Sequence, residues 1–207
     1  MFATLGTFEY YEPRSIEAAL RLLSELGRDV RILAGGCELI PDLRRRESAP
    51  RAIVSIAHIA ELNQVRLSDE ELVIGALASL RVVERRLESA DDFAALFEGI
   101  GSIASVQVRN TGTLVGNLCV ATPASDIATP LIVLGAEVHV ASPQGVRTMP
   151  VFELFRSAKR NSLQAGEMVT EVRVKRPAPG TGSAFAKLTR TAADCAKLNA
   201  AGAVVVQ

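Results

Sequence analysis

The chain has 207 residues, of which 48% are apolar, with no tryptophan, two tyrosines and 23 basic against 23 acidic residues. This composition is typical of a soluble globular protein, and the zero net charge with few aromatic residues argues against binding to nucleic acid or to a membrane surface. Because no signal segment opens the chain and no apolar run reaches membrane-spanning length, we expect a cytoplasmic protein without a membrane span.

The N-terminal part of the chain has the pattern of a βαβ unit. Apolar residues recur at helical spacing over Ile16–Leu26 and Leu39–Arg46, which predicts two helices. Short runs rich in β-branched residues at Val30–Ala34 and Ala52–Ile56 predict two buried strands. Two such strands with a helix between them favour a parallel pair with a right-handed crossover. We therefore expect a small parallel lobe here.

From about residue 62 the pattern changes to antiparallel strands and short helices. A hairpin is expected where two strand patterns flank Ser68-Asp69-Glu70. The mixture predicts an α+β fold, in which the small parallel lobe is followed by a larger, mainly antiparallel one. The expected strands are 64–67, 72–75, 137–141, 146–149 and 169–174, and the expected helices are 80–87, 93–105 and 127–134.

The last part of the chain begins with the linker Arg176–Gly182, which is rich in proline and glycine. Only two strand patterns follow, Ser183–Leu188 and Asn199–Val206. We interpret them as the start of an incomplete C-terminal domain, with few packing partners and a tendency to fray or self-associate. The expected domain division is therefore residues 1–58, 59–176 and 177–207.

Two glycine-containing segments are candidate ligand sites. The first, Leu33–Leu39, joins a strand to a helix through Gly35-Gly36, and such a turn can direct free backbone N–H groups at an anion. The second, Asn110–Asn117, carries side-chain donors without a clear helix behind it, and Asp126 follows as a possible acceptor from ribose or adenine. Each pattern alone is also that of an ordinary turn. Together they are what a dinucleotide requires.

Other sites are not indicated. Cys37, Cys119 and Cys195 stand far apart, so they form neither a zinc site nor an iron–sulfur cluster. His58 and His139 have no nucleophile motif beside them, and we interpret both as structural. No Rossmann or P-loop motif is present. We assign no catalytic residue and no metal ligand.

Taken together, the segments resemble the medium, FAD-binding subunit of molybdenum hydroxylases of the xanthine dehydrogenase, carbon monoxide dehydrogenase and 4-hydroxybenzoyl-CoA reductase type. The family motif Leu-Ala-Gly-Gly-x-(Ser/Asp)-Leu is matched by Leu33–Leu39 except at Glu38. The motif Gln-(Val/Ile)-Arg-x-x-(Gly/Ala)-(Thr/Ser)-x-Gly-Gly-Asn is matched by Gln107–Asn117 except at Val115, and the sequel Ala-x-Pro-x-x-Asp by Ala121–Asp126. The motifs occur in the right order along nearly the whole chain.

The resemblance implies a two-lobed FAD-binding fold of the PCMH type and FAD as cofactor. It places both motifs at the diphosphate with Ala104 nearby, Asp126 on the nucleotide side, and Met168 or Val169 with Lys187 near the flavin ring. For Lys187, an ordinary solvated strand lysine is the alternative. The implied cofactor-binding residues are Leu33, Ala34, Gly35, Gly36, Cys37, Glu38, Leu39, Ala104, Thr113, Leu114, Val115, Gly116, Asn117, Asp126, Met168 and Lys187.

Two residues depart from the family pattern. Val115 stands where glycine is usual, and a positive φ there would be strained. Glu38 would repel a diphosphate if it faced one, so we expect it to turn outward or into the helix start. Expected variants are Gly36→Val, which would block the diphosphate and leave the fold intact, and Val115→Gly, which would preserve or tighten binding.

The function implied by the resemblance is an electron relay. A large molybdopterin-binding subunit would oxidise the substrate, a small 2Fe–2S subunit would pass the electrons on, and FAD in this chain would deliver them to an external acceptor. Two alternatives stay open. One is a degenerate, flavin-free assembly subunit of the same complex, and the other is an unrelated enzyme that binds a phosphorylated substrate.

Overall fold

The computed structural model describes residues 6–191 and 193–205. The first part of the chain contains β1 (Glu9–Tyr11), α1 (Ile16–Leu26), β2 (Val30–Leu33), α2 (Leu39–Arg45) and β3 (Ala52–Ser55). The middle part contains β4 (Val65–Leu67), β5 (Glu71–Gly75), α3 (Leu80–Leu87), α4 (Ala94–Gly101), α5 (Val106–Thr111), α6 (Leu114–Val120) and α7 (Ala128–Val133). The rest contains β6 (Glu137–Ser142), β7 (Gly145–Pro150), β8 (Phe155–Ser157), β9 (Arg160–Asn161), β10 (Met168–Lys175), β11 (Thr181–Leu188) and β12 (Leu198–Val205).

The first sheet has the order β1-β3-β2, and both pairs of neighbouring strands are parallel. This confirms the predicted parallel lobe, to which the structure adds β1. Helix α1 begins because Ser15 caps it by accepting a hydrogen bond from the Ala18 N–H at 3.1 Å, and it ends at Gly27 with φ of 72°. Its buried face packs on β3 of the first sheet.

The second sheet has the order β4-β5-β10-β6-β7, and every pair of neighbours in it is antiparallel. The predicted strands of this lobe and their antiparallel arrangement are therefore confirmed, and the structure adds their order. Val54 of the first sheet and Leu72 of the second belong to one apolar core, which also takes in the buried faces of α3, α4 and α6. The fold is α+β, as expected.

The C-terminal strands β11 and β12 form an antiparallel hairpin. The expectation that this hairpin has few packing partners is wrong for its inner face, which lies against α4 and α7. The Ala95 N–H donates to Ser183 Oγ at 3.1 Å, and the Phe185 N–H donates to Glu98 Oε2 at 2.8 Å. The outer face keeps exposed apolar side chains, among them Leu188. Val206 of the predicted strand lies outside the described residues.

Among the residues that the structure describes, no helix combines the length and the apolar character needed to cross a membrane.

Candidate functional site

The two predicted ligand segments lie against each other. A Cβ atom placed on Gly35 would overlap the carbonyl oxygen of Thr111, so glycine is required for this approach. Nearby, the Cys37 Sγ lies 3.8 Å from the carbonyl oxygen of Val108. The turn after β2 is therefore packed directly on the end of α5, which brings the first motif beside the second.

The first segment presents a row of backbone donors. Gly36 has φ of 72°, and its carbonyl oxygen accepts from the Ile40 N–H at 3.1 Å, which starts α2. Within residues 6–191 and 193–205, the N–H groups of Cys37, Glu38 and Leu39 find no acceptor. Unpaired N–H groups at the beginning of a helix are suited to an anion such as a diphosphate.

The contacts that a side chain at Gly36 would make bear on the prediction for Gly36→Val. A Cβ atom on Gly36 would meet side-chain atoms of Ile40 and Leu33 at 3.1 and 3.2 Å. Gly36→Val would therefore strain the turn itself as well. Its predicted effect on FAD binding stays a prediction.

Charged groups around the first segment are arranged so that they do not oppose an anion. Glu38 precedes α2 with its side chain 48% exposed, and Lys159 Nζ lies 3.8 Å from its Oε1. The expected outward orientation of Glu38 is thus found. Desolvation and, less strongly, the charge of Glu38 raise the pKa of the Cys37 thiol, which favours its neutral form.

The second segment is helical where a loop was expected. Helix α5 ends at Thr111, Gly112 turns the chain, and α6 begins after Thr113. Thr113 Oγ1 caps α6 by accepting from the Gly116 N–H at 3.0 Å, while the Gly112 carbonyl accepts from the Leu80 N–H at 2.8 Å. This anchoring to α3 places the start of α6 beside the first segment.

Val115 is not strained. It lies in α6 without a positive φ and is only 4% exposed, so its side chain is part of the core. There is thus no positive φ here for glycine to relieve, and the effect of Val115→Gly on FAD binding stays a prediction. A helix interior disfavours glycine, and the valine fills space that glycine would leave empty.

Asp126 and Lys187 form a buried ion pair. Lys187 Nζ lies 2.7 Å from Asp126 Oδ2, and the two side chains are 7% and 6% exposed. Lys187 also donates to the Ser102 carbonyl oxygen at 3.0 Å, and Asn199 Nδ2 donates to Asp126 Oδ1 at 3.0 Å. The alternative of a solvated lysine is wrong. The roles suggested for the pair, beside the nucleotide and the flavin, stay predictions.

Ala104 lies in a turn that is fixed by residues which the sequence did not single out as functional. Ala104 has φ of 41°, and the carbonyl oxygen of the preceding Ile103 accepts from Arg109 Nη1 at 2.8 Å. Arg109 is itself buried, with Nε 3.4 Å from Glu84 Oε2, which Arg81 also contacts at 2.8 Å. The only sequence signal for this anchor was the arginine of the Gln-Val-Arg motif.

The remaining predicted residues differ in accessibility. Met168, at the start of β10, is buried in the core, whereas Leu33, Ala34 and Leu39 are half-buried. Among the described residues, no group of three or more His, Cys, Asp or Glu side chains is arranged to hold a metal ion.

The donor set of this junction fits an anionic dinucleotide. The backbone N–H groups of residues 37–39 are free within the described chain, and the half-buried side chain of Asn117 lies one turn into α6. The two carboxylates that could repel a diphosphate, Glu38 and Asp126, face Lys159 and Lys187 respectively.

Comparison with known proteins agrees with this arrangement. Residues 6–177 match the family described as "FAD binding domain in molybdopterin dehydrogenase". The chain is 36% identical to the caffeine dehydrogenase subunit beta of Pseudomonas sp. (strain CBB1), covering 94% of this chain and 66% of that protein. It is 34% identical to the carbon monoxide dehydrogenase medium chain of Afipia carboxidovorans, covering 97% and 69%. A chain of the reconstituted CO dehydrogenase from Oligotropha carboxidovorans matches with a TM-score of 0.93 and 31% identity, covering 99% and 71%.

The chain thus spans about two thirds of the length of these curated relatives. The likeness to the solved structures confirms the predicted PCMH-type fold, and the family confirms FAD as the cofactor. With the matched region, the fold and the donor-lined junction in agreement, the chain belongs to the family of FAD-binding domains of molybdopterin dehydrogenases.

Proposed function

We propose that this chain is the FAD-binding, electron-transfer part of a molybdenum-containing hydroxylase in the cytoplasm. The observation that carries the proposal is the junction at Gly35 and Thr111, where the two family motifs meet and backbone donors are left free. Cys37 and Glu38 at this junction are exposed, so an FAD bound there would be accessible to a protein that donates electrons and to one that accepts them.

The cofactor would be held by residues from both lobes. The first motif, Leu33–Leu39, contributes backbone N–H groups to the diphosphate. The second, Thr113–Asn117, contributes the start of α6, while Ala104 lies on the neighbouring fixed turn. Asp126 would lie on the nucleotide side, with Met168 and Lys187 on the side of the flavin.

When bound, FAD supplies redox chemistry, since it can accept electrons singly and release them in pairs. The protein's own part is to bind the cofactor, orient it and keep anionic side chains away from the diphosphate. The partners would be a large molybdopterin-binding subunit, where the substrate is oxidised, a small 2Fe–2S subunit, and an external electron acceptor. On its own, the chain is expected to hydroxylate no substrate.

Two of the features behind the alternative of a flavin-free assembly subunit were Val115 and Glu38. Val115 fits its helix without a positive φ, and Glu38 faces Lys159. Neither departure obstructs the junction, which favours the flavin-binding proposal over the degenerate one.

The relay is tested by reconstitution. The chain is combined with the molybdopterin and 2Fe–2S subunits from the same source, and flavin absorbance near 450 nm is followed after substrate is added. We expect bleaching only when all three subunits are present. Flavin reduction by substrate with the chain alone, or no reduction in the complete assembly that oxidises substrate, would contradict the proposal.

A further inference from the structure

A chain of hydrogen bonds leads from the C-terminal hairpin to the second motif. The hairpin lies outside residues 6–177, the part matched to the FAD-binding family. Asn199, on β12, nevertheless reaches the loop before α7. Its Nδ2 donates to the Ser125 carbonyl oxygen and to Asp126 Oδ1, each at 3.0 Å, and its Oδ1 accepts from Thr129 Oγ1 at 3.2 Å.

The chemistry of these partners fixes the orientation of the Asn199 amide. A peptide carbonyl and a carboxylate can only accept hydrogen bonds, so the NH₂ group must face Ser125 and Asp126. With the Thr129 hydroxyl on its oxygen, the amide has a partner at each end. The hairpin therefore holds the Ser125–Asp126 loop in one position.

Ser125 connects this loop to the second motif through its side-chain hydroxyl. Its buried Oγ accepts from the Ala128 N–H at 3.3 Å and lies 2.8 Å from Asn117 Oδ1. Because the Ala128 N–H is necessarily the donor in the first contact, the hydroxyl proton is available for the Asn117 oxygen. The Asn117 NH₂ group then points away from Ser125, and within the described chain no acceptor receives it.

We propose that Ser125 and Asn199 are positioning residues for FAD, and that they set the Asn117 amide with its NH₂ group toward the cofactor's diphosphate. The inference rests on the proposed function, which puts Asn117 at the diphosphate. An unrestrained asparagine could present either its oxygen or its NH₂ group, and the oxygen would repel an anion. Fixing the amide before binding removes that ordering step from the association.

The test measures the FAD dissociation constant of the full chain by calorimetry. Ser125→Ala is expected to weaken binding about tenfold, as is typical when a hydrogen bond that orients a group is lost. Asn199→Ala is expected to weaken it several-fold, since Ser125 and Asp126 then lose their donor. The double variant Ser125→Ala/Asn117→Ala should bind no more weakly than Asn117→Ala alone, because both changes remove one interaction.

Two controls separate positioning from general damage. Ser183→Ala removes a hydroxyl of the same hairpin whose partner among the described residues is the start of α4, and it should leave the affinity unchanged. Asn117→Asp keeps the shape and the acceptor for Ser125 but replaces NH₂ by a carboxylate oxygen, so it should bind more weakly than Asn117→Ala. The ³¹P spectrum of bound FAD should shift in Ser125→Ala and not in Ser183→Ala.

The outcomes distinguish the inference from the proposed function. Wild-type affinity in Ser125→Ala or Asn199→Ala, with weakened binding in Asn117→Ala, would overturn the positioning role alone. Wild-type affinity in Asn117→Ala would overturn the site assignment and the positioning role with it. If Ser125→Ala fails to fold, Asn117→Asp decides, since equal binding by Asn117→Asp and wild type would show that the NH₂ group does not face the diphosphate.

Discussion

Replacing Lys187 by methionine should destabilise the protein strongly, because it leaves Asp126 buried without its counter-ion. The ion pair is 2.7 Å long, and the two side chains are 7% and 6% exposed, so water cannot take the place of the lost ammonium. Methionine keeps most of the lysine's volume, so the change removes charge more than packing.

The magnitude follows from the surroundings of Asp126. Removing one partner of a buried pair typically lowers the free energy of unfolding by about 3–5 kcal/mol. Asp126 keeps a hydrogen bond from Asn199 at 3.0 Å, which places the expected loss near the lower limit, about 3 kcal/mol. For a domain of this size that corresponds to a fall in Tm of roughly 6–12 °C.

The loss is measured by urea unfolding without added FAD. Lys197→Met, an exposed lysine in the turn of the same hairpin, should change stability by less than about 0.5 kcal/mol. Asp126→Asn combined with Lys187→Met should recover much of the loss, since no buried charge is left. A loss below about 1 kcal/mol in Lys187→Met would show that the pair behaves like a solvent-exposed one, and would refute the reasoning.

Three further variants test other parts of the site. Gly35→Ala should weaken FAD binding at least tenfold, since its Cβ would overlap the carbonyl oxygen of Thr111. Gly182→Ala, where the added Cβ has open space, should leave the affinity unchanged. Equal affinities of the two variants would contradict the close packing of Gly35 on α5. Val115→Gly should lower the free energy of unfolding by about 2–4 kcal/mol, against about 0.5 kcal/mol for Val82→Gly on the exposed side of α3. Equal losses would contradict the burial of Val115. Burial raises the pKa of the Cys119 thiol to about 12, although the residue keeps some exposed surface, so the native state disfavours the thiolate. The stability that the neutral Cys119 thiol gives the folded state is fully present below the unfolded pKa near 9 and is lost as pH rises toward 12. Between pH 9 and 10, the free energy of unfolding of the wild type should therefore fall by about 1 kcal/mol more than that of Cys119→Ala. Identical losses in the two proteins would contradict the burial of this thiol.

Elements with a strong local pattern could be predicted from the sequence. Helix α3 has the predicted bounds, Leu80–Leu87, because its apolar residues follow a helical period after the capping Ser79. The hairpin of β4 and β5 and the strands β6, β7 and β10 likewise have clear runs between turn residues. By contrast, β1 has only three residues, two of them exposed, so its sequence shows no recognisable strand pattern. Its strand structure depends on pairing with β3.

The site was predictable where family motifs mark it and less so where distant residues meet. The glycines of residues 110–117 indicated a loop, but capping by Thr113 and burial of Leu114 and Val115 make the segment helical. The pairing of Asp126 with Lys187 joins residues 61 positions apart, and neither residue carries a local sign of the other. Such contacts depend on how the hairpin packs on α4 and α7, which follows from the tertiary fold.

The most direct test of FAD binding at the junction is a calorimetric titration of the purified full chain with FAD and, separately, with FMN. FMN lacks the diphosphate and adenosine that the two motifs are proposed to hold. We expect FAD to bind with one site per chain and at least a hundredfold more tightly than FMN, a difference of about 2.7 kcal/mol. Equal affinities for the two flavins, or no FAD binding even with the partner subunits present, would contradict it.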